Sequence, residues 1–324
     1  MSTLRAYAKV NLGLEVLRRR EDGYHEIRTI LQTVDFHDEL SFQEADSGIR
    51  LTTNLPSLGT GKENLVYRAA SLLAETAGYR GGAFIHLEKR VPPGKGLGGG
   101  SSDAAATLVA LDRLWKTCAS APDLHRLAAS VGMDVPFFLY GGAALGVSRG
   151  DEVYPLEMPV DLPIVLILPD FSISTAEAYG NLRLTNREAG LKLLHFAWNL
   201  PEVRVELREL VNDLESASGD RFDSIQEYKR LLLDLGATSS MMSGSGSSVF
   251  GIFHDEASAG DASRSLGLRG IRAIATKTVG GRAYRAERLK QLASFRPSGP
   301  TGPRGPSGLS GPSGNVRSEE ASEP

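Results

Sequence analysis

The sequence predicts a two-domain α+β fold, and three observations carry that prediction. The chain has 324 residues, more than one typical hydrophobic core organises. Strand-like and helix-like runs alternate along it without an internal repeat. A glycine-rich loop, in which five of the seven residues 94–100 are glycine, leads straight into the alanine-rich run 104–111. Such a loop crowds backbone N–H groups together, and a helix starting behind it adds its unpaired N–H groups and the positive end of its dipole. Together they describe a phosphate cradle; a flexible loop capped by Ser101 at a helix start is the plainer reading.

In order along the chain, Leu4, Ala6, Ala8, Val10, Leu12, Leu14 and Val16 fall on every second position, the mark of a strand with one buried face. Asp22 and Gly23 turn the chain into a second strand at 27–34. Asn64 opens a helical run to Ala77, which Gly78 stops. A strand at 84–91 feeds the glycine loop, and further strands are expected at 141–148 and 153–156. The stretch 159–163 divides the chain. Beyond it, a strand at 164–168, helical runs at 187–198, 202–211, 225–235 and 256–266, and strands within 238–253 and 272–279 form a second unit. The extents are thus 1–158 and 159–295. From 296 to 324 glycine recurs every third residue between prolines and serines. Six such repeats are few for a triple helix, so a disordered tail is expected.

Composition narrows the function. A net charge of −3 gives no reason to expect nucleic acid or an anionic membrane as partner. No apolar run reaches the length of a membrane span, and the N-terminus lacks the apolar core of a signal peptide. Cys118 is the only cysteine, which leaves no intrachain disulfide and no thiolate metal cluster. A small-molecule enzyme of the reducing cytoplasm, monomeric or homodimeric, is the expectation.

The loop is not Walker A, since no Gly-Lys-Ser/Thr closes it. Gly94, Gly96 and Gly99 satisfy G-x-G-x-x-G, but the acidic residue that pattern needs at the next strand end is missing. The nearest, Asp112, falls inside a helical run. No H-R-D or D-F-G follows, so the protein-kinase loop fits no better. What remains, Pro-x-x-x-Gly-Leu-Gly-Gly-Gly-Ser-Ser before an alanine-rich helix, resembles the second motif of the GHMP kinases. Residues 6–14 resemble the first motif of that family and 242–251 its third. Asp22-Gly23-Tyr24-His25-Glu26-Ile27 and residues 132–138 are similar to the branch that phosphorylates a cytidine-diphosphate derivative of methylerythritol. The resemblance spans about residues 3–290.

The resemblance implies an N-terminal domain like the second domain of ribosomal protein S5 and a ferredoxin-like C-terminal domain. It implies transfer of the γ-phosphoryl of ATP to a 2-hydroxyl, in the non-mevalonate route to isoprenoids. Lys9 and Asp134 become the catalytic pair, the lysine keeping the aspartate ionised. By pattern alone Lys9 and Asn11 belong to a solvated strand face, and Asp134 caps a short helix. The ATP contacts implied are Asn64, Pro93, Gly94, Lys95, Gly96, Leu97, Gly98, Gly99, Gly100, Ser101 and Ser102. Lys95 either meets a phosphate or lies in solvent, and Asn64 is otherwise an ordinary helix cap. The acceptor falls to Asn11, Tyr24, His25, Thr175, Tyr179, Gly244, Ser245 and Gly246, with Tyr24 and Tyr179 stacking on cytosine and His25 at its edge. Mg²⁺ is expected with ATP. No carboxylate cluster names its ligands; Ser102 is the one candidate.

Overall fold

The computed structural model describes residues 1–158, 161–182 and 210–295. The helical runs expected at 187–198 and, but for its last two residues, 202–211 lie outside the described residues, as does the tail 296–324.

The first sheet is organised by two long antiparallel strands, β1 (Ser2–Arg19) and β2 (His25–Ala45). On its other edge β2 carries β4 (Gly82–Glu88) along one half and β5 (Ala143–Val147) along the other. Outside these lie β3 (Gly48–Thr53), parallel to β4, and β6 (Glu152–Leu156), antiparallel to β5. The second strand therefore runs well past the expected 27–34, because its continuation pairs on both edges. Asp38 and Glu39 break the apolar pattern there yet stay in the ladder, while Asp35 falls in a bulge between Val34 and His37.

Three longer helices pack on this sheet. In α1 (Leu65–Ala77), Val66, Ala69, Ala70 and Leu73 are buried, the helical stripe its spacing predicts. Asn64 Oδ1 accepts from Val66 N, and Gly78 ends the helix in the left-handed region. Helix α2 (Gly99–Trp115) follows the glycine loop and runs through the core, and α3 (Ala121–Val131) lies beside it. The turn α4 (Phe137–Tyr140) supplies Phe137 and Phe138 to the same core.

The second sheet holds β7 (Pro163–Ile167), β8 (Ser239–Met242), β9 (Val249–Ile252) and β10 (Ala273–Lys277). Its antiparallel order, β10-β7-β9-β8, is that of a ferredoxin-like sheet. Helices α5 (Thr175–Asn181), α6 (Phe222–Asp234) and α7 (Glu256–Leu268) connect these strands. A last helix, α8 (Gly281–Leu292), returns to the first sheet: buried Tyr284 donates to Phe138 O at 2.6 Å, and Phe295 joins the core beside Phe42. Its surface is charged all round, so no apolar stripe announces it.

Strand β1 is the spine of the molecule. Leu4 and Ala6 enter the core under the helices, Ala8, Val10 and Leu12 the core between the sheets, and Leu14 and Val16 that of the second sheet. Its other face is not solvated as periodicity alone suggests. Tyr7, Lys9 and Asn11 are all buried: Tyr7 lies against His37 and Tyr284, and the glycine loop and the Gly244 turn close over Lys9 and Asn11.

Candidate active site

The buried odd face of β1 ends in a polar relay. Lys9 Nζ donates to Asn11 Oδ1 at 2.6 Å, Asn11 Nδ2 to Thr29 Oγ1 at 2.8 Å, and Thr29 Oγ1 to Gly13 O at 2.8 Å. Each group has one partner of the right kind, so the Asn11 amide oxygen is held toward the lysine. Lys9 Nζ also lies 3.4 Å from Asp134 Oδ2. The Asp134 side chain is 39% exposed while that of Lys9 is 4% exposed, so the carboxylate faces an open space with the ammonium behind it. Asp134 is not the cap that its sequence context suggests. Pro136 holds the cap position of α4 without a side-chain bond, and the preceding turn, closed by Val135 N on Gly132 O, aims Asp134 away from the helix.

That space is a cavity of about 990 Å³ between the two sheets. The glycine loop forms one wall. Leu97 O accepts from Lys9 N at 3.0 Å, Gly96 O from Ser243 Oγ at 2.9 Å, and Lys95 O from Ser248 N at 3.2 Å, so the loop is stitched to both halves. Gly96 (φ +74°) and Gly98 (φ +67°) need glycine twice over. A Cβ at Gly96 would sit 2.0 Å from Ser243 O, and one at Gly98 would sit 2.8 Å from the Phe138 ring. Gly98 is the cap position of α2, and the first amides behind it have no intrahelical acceptor.

Of the loop residues singled out, Gly94, Gly96, Gly98 and Ser101 line the cavity. Leu97 is a core residue, Gly99 packs against Val91 and Lys89, and Ser102 is wholly buried behind the loop without a hydrogen-bond partner for its hydroxyl. Pro93 and Gly100 are exposed outside the cavity wall. Lys95 takes neither place foreseen for it. Flanked by two left-handed glycines, it folds into the seam between the halves, where its ammonium donates to Phe171 O and burial lowers its pKa. Asn64 is also spent on structure: its amide bonds Val66 N and Gly59 O, both at 2.9 Å.

Behind the loop lies a buried cluster that sequence reasoning missed. Lys89 Nζ donates to Asp38 and, at 2.9 Å, to Asp103 Oδ2, while Asp38 Oδ1 accepts from the amides of Arg90 and Val91. Burial pushes the Asp103 carboxyl up to about 8 against the pull of Lys89. The cluster pins the end of β4 to β2 and to the start of α2, which sets where the loop begins. Charges separated by 14 and 51 positions carry no periodic signal.

The opposite wall is the turn between β8 and β9. At Gly244 (φ +55°) a Cβ would lie 3.1 Å from Asn11 Oδ1 and 3.2 Å from Lys9 Nζ, so this glycine sits directly against the relay. Ser245 Oγ lies 3.1 Å from Thr175 Oγ1 at the start of α5, whose cap is Ser174. Further out, the rings of His25 and Tyr179 stack at 4.8 Å. The resemblance places His25 at the edge of a ring held between Tyr24 and Tyr179; in the structure it covers Tyr179 itself, because β2 and α5 bring the two side chains together. Burial, with help from Arg19, lowers the His25 pKa, so the imidazole is neutral at pH 7. Burial and nearby Asp134 raise that of the Tyr179 phenol. Tyr24 is half exposed, with the Arg149 guanidinium 5.4 Å from its ring centre. Arg19, Thr29 and Arg149 complete the wall, and no motif pointed to them.

Among the described residues no group of three His, Cys, Asp or Glu side chains could hold a metal ion, and no helix is long and apolar enough to cross a membrane.

Residues 64–142 match the model for the GHMP kinases N terminal domain, and residues 196–271 that for GHMP kinases C terminal. The chain is 43% identical over 282 residues to a 4-diphosphocytidyl-2-C-methyl-D-erythritol kinase of Syntrophotalea carbinolica, covering 86% of this chain and 99% of that one. It is 41% identical over 268 residues to the protein of that name from Thermodesulfovibrio yellowstonii, covering 80% and 92%. The crystal structure of a 4-(cytidine 5'-diphospho)-2C-methyl-D-erythritol kinase superimposes with a TM-score of 0.75 at 38% identity, over 86% of this chain and 99% of that one. A mevalonate kinase superimposes with a TM-score of 0.65 at 12% identity, a likeness of fold.

Proposed function

The chain belongs to the 4-diphosphocytidyl-2-C-methyl-D-erythritol kinase family of the GHMP kinases, and from that membership we propose the reaction it performs. It transfers the γ-phosphoryl of ATP to the 2-hydroxyl of 4-diphosphocytidyl-2-C-methyl-D-erythritol, giving the 2-phosphate and ADP, in the methylerythritol phosphate pathway to isopentenyl diphosphate. The observation that carries this reading is the Lys9–Asp134 pair, 3.4 Å apart between the glycine loop and the Gly244 turn, with the aromatic groups at the far end of the same cavity.

Asp134 accepts the hydrogen bond of the acceptor hydroxyl and aims its oxygen at the γ-phosphorus. A carboxylate is far too weak a base to ionise an alcohol beforehand, so the proton moves late, as charge leaves the oxygen in a loose transition state. Lys9, buried behind Asp134 and held by Asn11, sets a positive charge beside the carboxylate and the transferring phosphoryl group. The loop amides and the start of α2 hold the ATP phosphates, and Gly244 and Ser245 meet the acceptor or the moving phosphoryl group. Neutral His25 has one ring donor and one acceptor for the edge of cytosine once it leaves Tyr179, which then stacks on the base with Tyr24. Magnesium would enter with the nucleotide: Asp134 and the Ser101 hydroxyl, both lining the cavity, would hold it, and it would supply charge neutralisation at the phosphates. The division into 1–158 and 159–295, with α8 lent back to the first, belongs to the same proposal, as does a cytoplasmic monomer or homodimer without nucleic acid or membrane as partner.

The test is ADP release by purified protein with ATP, magnesium and the cytidine acceptor, beside Asp134→Ala. Acceptor-dependent turnover that falls by about 10³-fold or more in the variant is expected, since positioning and proton acceptance are lost together. Turnover only with mevalonate or homoserine would overturn the choice of acceptor, and an unimpaired variant would overturn the role of Asp134.

A further inference from the structure

We propose that Asn212 is a positioning residue for this phosphoryl transfer, holding the Gly244 turn at a fixed depth against Lys9 and Asn11. The proposal rests on the kinase reading above. Asn212 is buried, and its carboxamide makes three hydrogen bonds. Nδ2 donates to Met242 O at 2.9 Å and to Gly244 O at 2.7 Å, and Oδ1 accepts from Leu214 N at 3.0 Å. Two donated protons and one accepted bond from a single short side chain are what asparagine offers and neither aspartate nor leucine of similar size does.

The same residue is joined to the strand that carries the catalytic lysine. Asn212 bridges to Leu14 of β1, and Leu14 N donates to Val211 O at 2.9 Å. Its neighbours repeat the arrangement: Asp213 Oδ2 accepts from Val16 N at 2.9 Å, and Glu215 Oε1 from Met242 N at 2.8 Å. The segment 212–215 is therefore a clasp, one side on β1 and the other on the turn. Asn212 is its member that reaches Gly244.

The depth of that turn matters because of what it presents. Gly244 and Ser245 both line the cavity, and among the described residues neither backbone N–H has an acceptor. With Gly244 in the left-handed region, two successive N–H groups are left without an acceptor at the cavity wall, donors of the kind that suit a phosphoryl oxygen. A Cβ on Gly244 would already crowd Asn11 Oδ1 and Lys9 Nζ at 3.1 and 3.2 Å, so the donor pair and the lysine are set against each other with little slack. A misplacement of about 1 Å at such a site is worth on the order of 10² in rate.

The experiment compares wild type, Asn212→Asp and Asn212→Ala. Three quantities are read: kcat and both KM values, the thermal unfolding midpoint, and hydrogen exchange of the peptide spanning 242–248. Aspartate keeps the size but, ionised, turns two donated bonds into two repulsions. For variants folded at the assay temperature, kcat is expected to drop by about 10²-fold with KM for ATP within about threefold. Exchange of the turn amides should rise. In Asn212→Asp the ratio of kcat to wild type should recover as pH is lowered, because a protonated carboxyl again donates one bond. A merely structural role leaves kcat per folded molecule untouched at every pH. A kcat within about twofold of wild type in either folded variant, or unchanged exchange across the turn, overturns the proposal. Failure of both variants to fold does so equally, since Asn212 would then be a folding residue. Absent turnover of the cytidine acceptor by wild type would instead sink the kinase reading, while the exchange data still report on the clasp.

Discussion

Replacing Gly96 with alanine should separate the two walls of the cavity. Gly96 has φ +74°, a conformation that costs an L-residue about 1–2 kcal/mol. The added methyl would sit 2.0 Å from Ser243 O and 3.1 Å from Gly246 N and O, all backbone atoms that cannot swing aside. Real Cβ contacts do not fall below 3.0 Å, so loop and turn must part by about 1 Å. That movement also stretches the 2.9 Å bond from Ser243 Oγ to Gly96 O, worth about 1 kcal/mol. The total is about 2–3 kcal/mol, or roughly 3–5 °C in the unfolding midpoint. Because the parted surfaces are the two walls proposed to hold the nucleotide and the acceptor, kcat should fall about 10²-fold as well. The control is Gly78→Ala at the end of α1: φ is +63° there, but no atom lies within 4 Å of the added methyl. It should lose about 1 kcal/mol of stability and no activity per folded molecule. Scanning calorimetry and coupled ADP release measure both. The reasoning is refuted if Gly96→Ala keeps kcat within about threefold of wild type while losing no more stability than Gly78→Ala.

Two further outcomes follow from the site. Tyr179→Leu should raise KM for the cytidine acceptor about tenfold or more, the worth of a base stacked on an aromatic ring, with KM for ATP within about twofold; equal changes in both constants would remove Tyr179 from the acceptor site. Asp103, raised from 3.8 to about 8 in the fold, binds its proton more tightly when folded than unfolded. Its contribution is therefore fully present below about pH 4 and lost as pH climbs through 8. The unfolding midpoint of Asp103→Asn should gain on that of wild type between pH 5 and about 8.5 and level off above. A difference that is flat across this range in calorimetry would mean that the carboxyl is ionised throughout.

Much of the fold was legible because alternation and capping are local. Strand β1, the Asn64 cap with the Gly78 stop, helices α6 and α7 and the strands of the second sheet all stand where spacing and turn residues put them, give or take a few positions. The length of β2 was not legible, because ladder partners on both edges carry it through polar positions. Neither was α8, a charged helix whose few anchors, Tyr284 and Arg288, meet backbone carbonyls of Phe138 and Leu139. At the site, the motifs named Lys9, Asp134 and the glycines, but pattern alone made Lys9 solvated and Asp134 a cap.

By itself the sequence determined most of the strands and helices and where the glycine-rich motifs fall. Glycine spacing, apolar period and the order of three motifs are properties of the chain that no distant contact alters. Only the tertiary structure decided which of those residues act together. It turned Lys95 into the seam, spent Asn64 on its helix, stacked His25 on Tyr179 and brought Asn212 onto Gly244, 32 positions away. For Lys95, Asn64 and Asn212 the physical reason is the same. A polar side chain under cover must find a partner, and the nearest partner in space is set by how the two sheets close on β1.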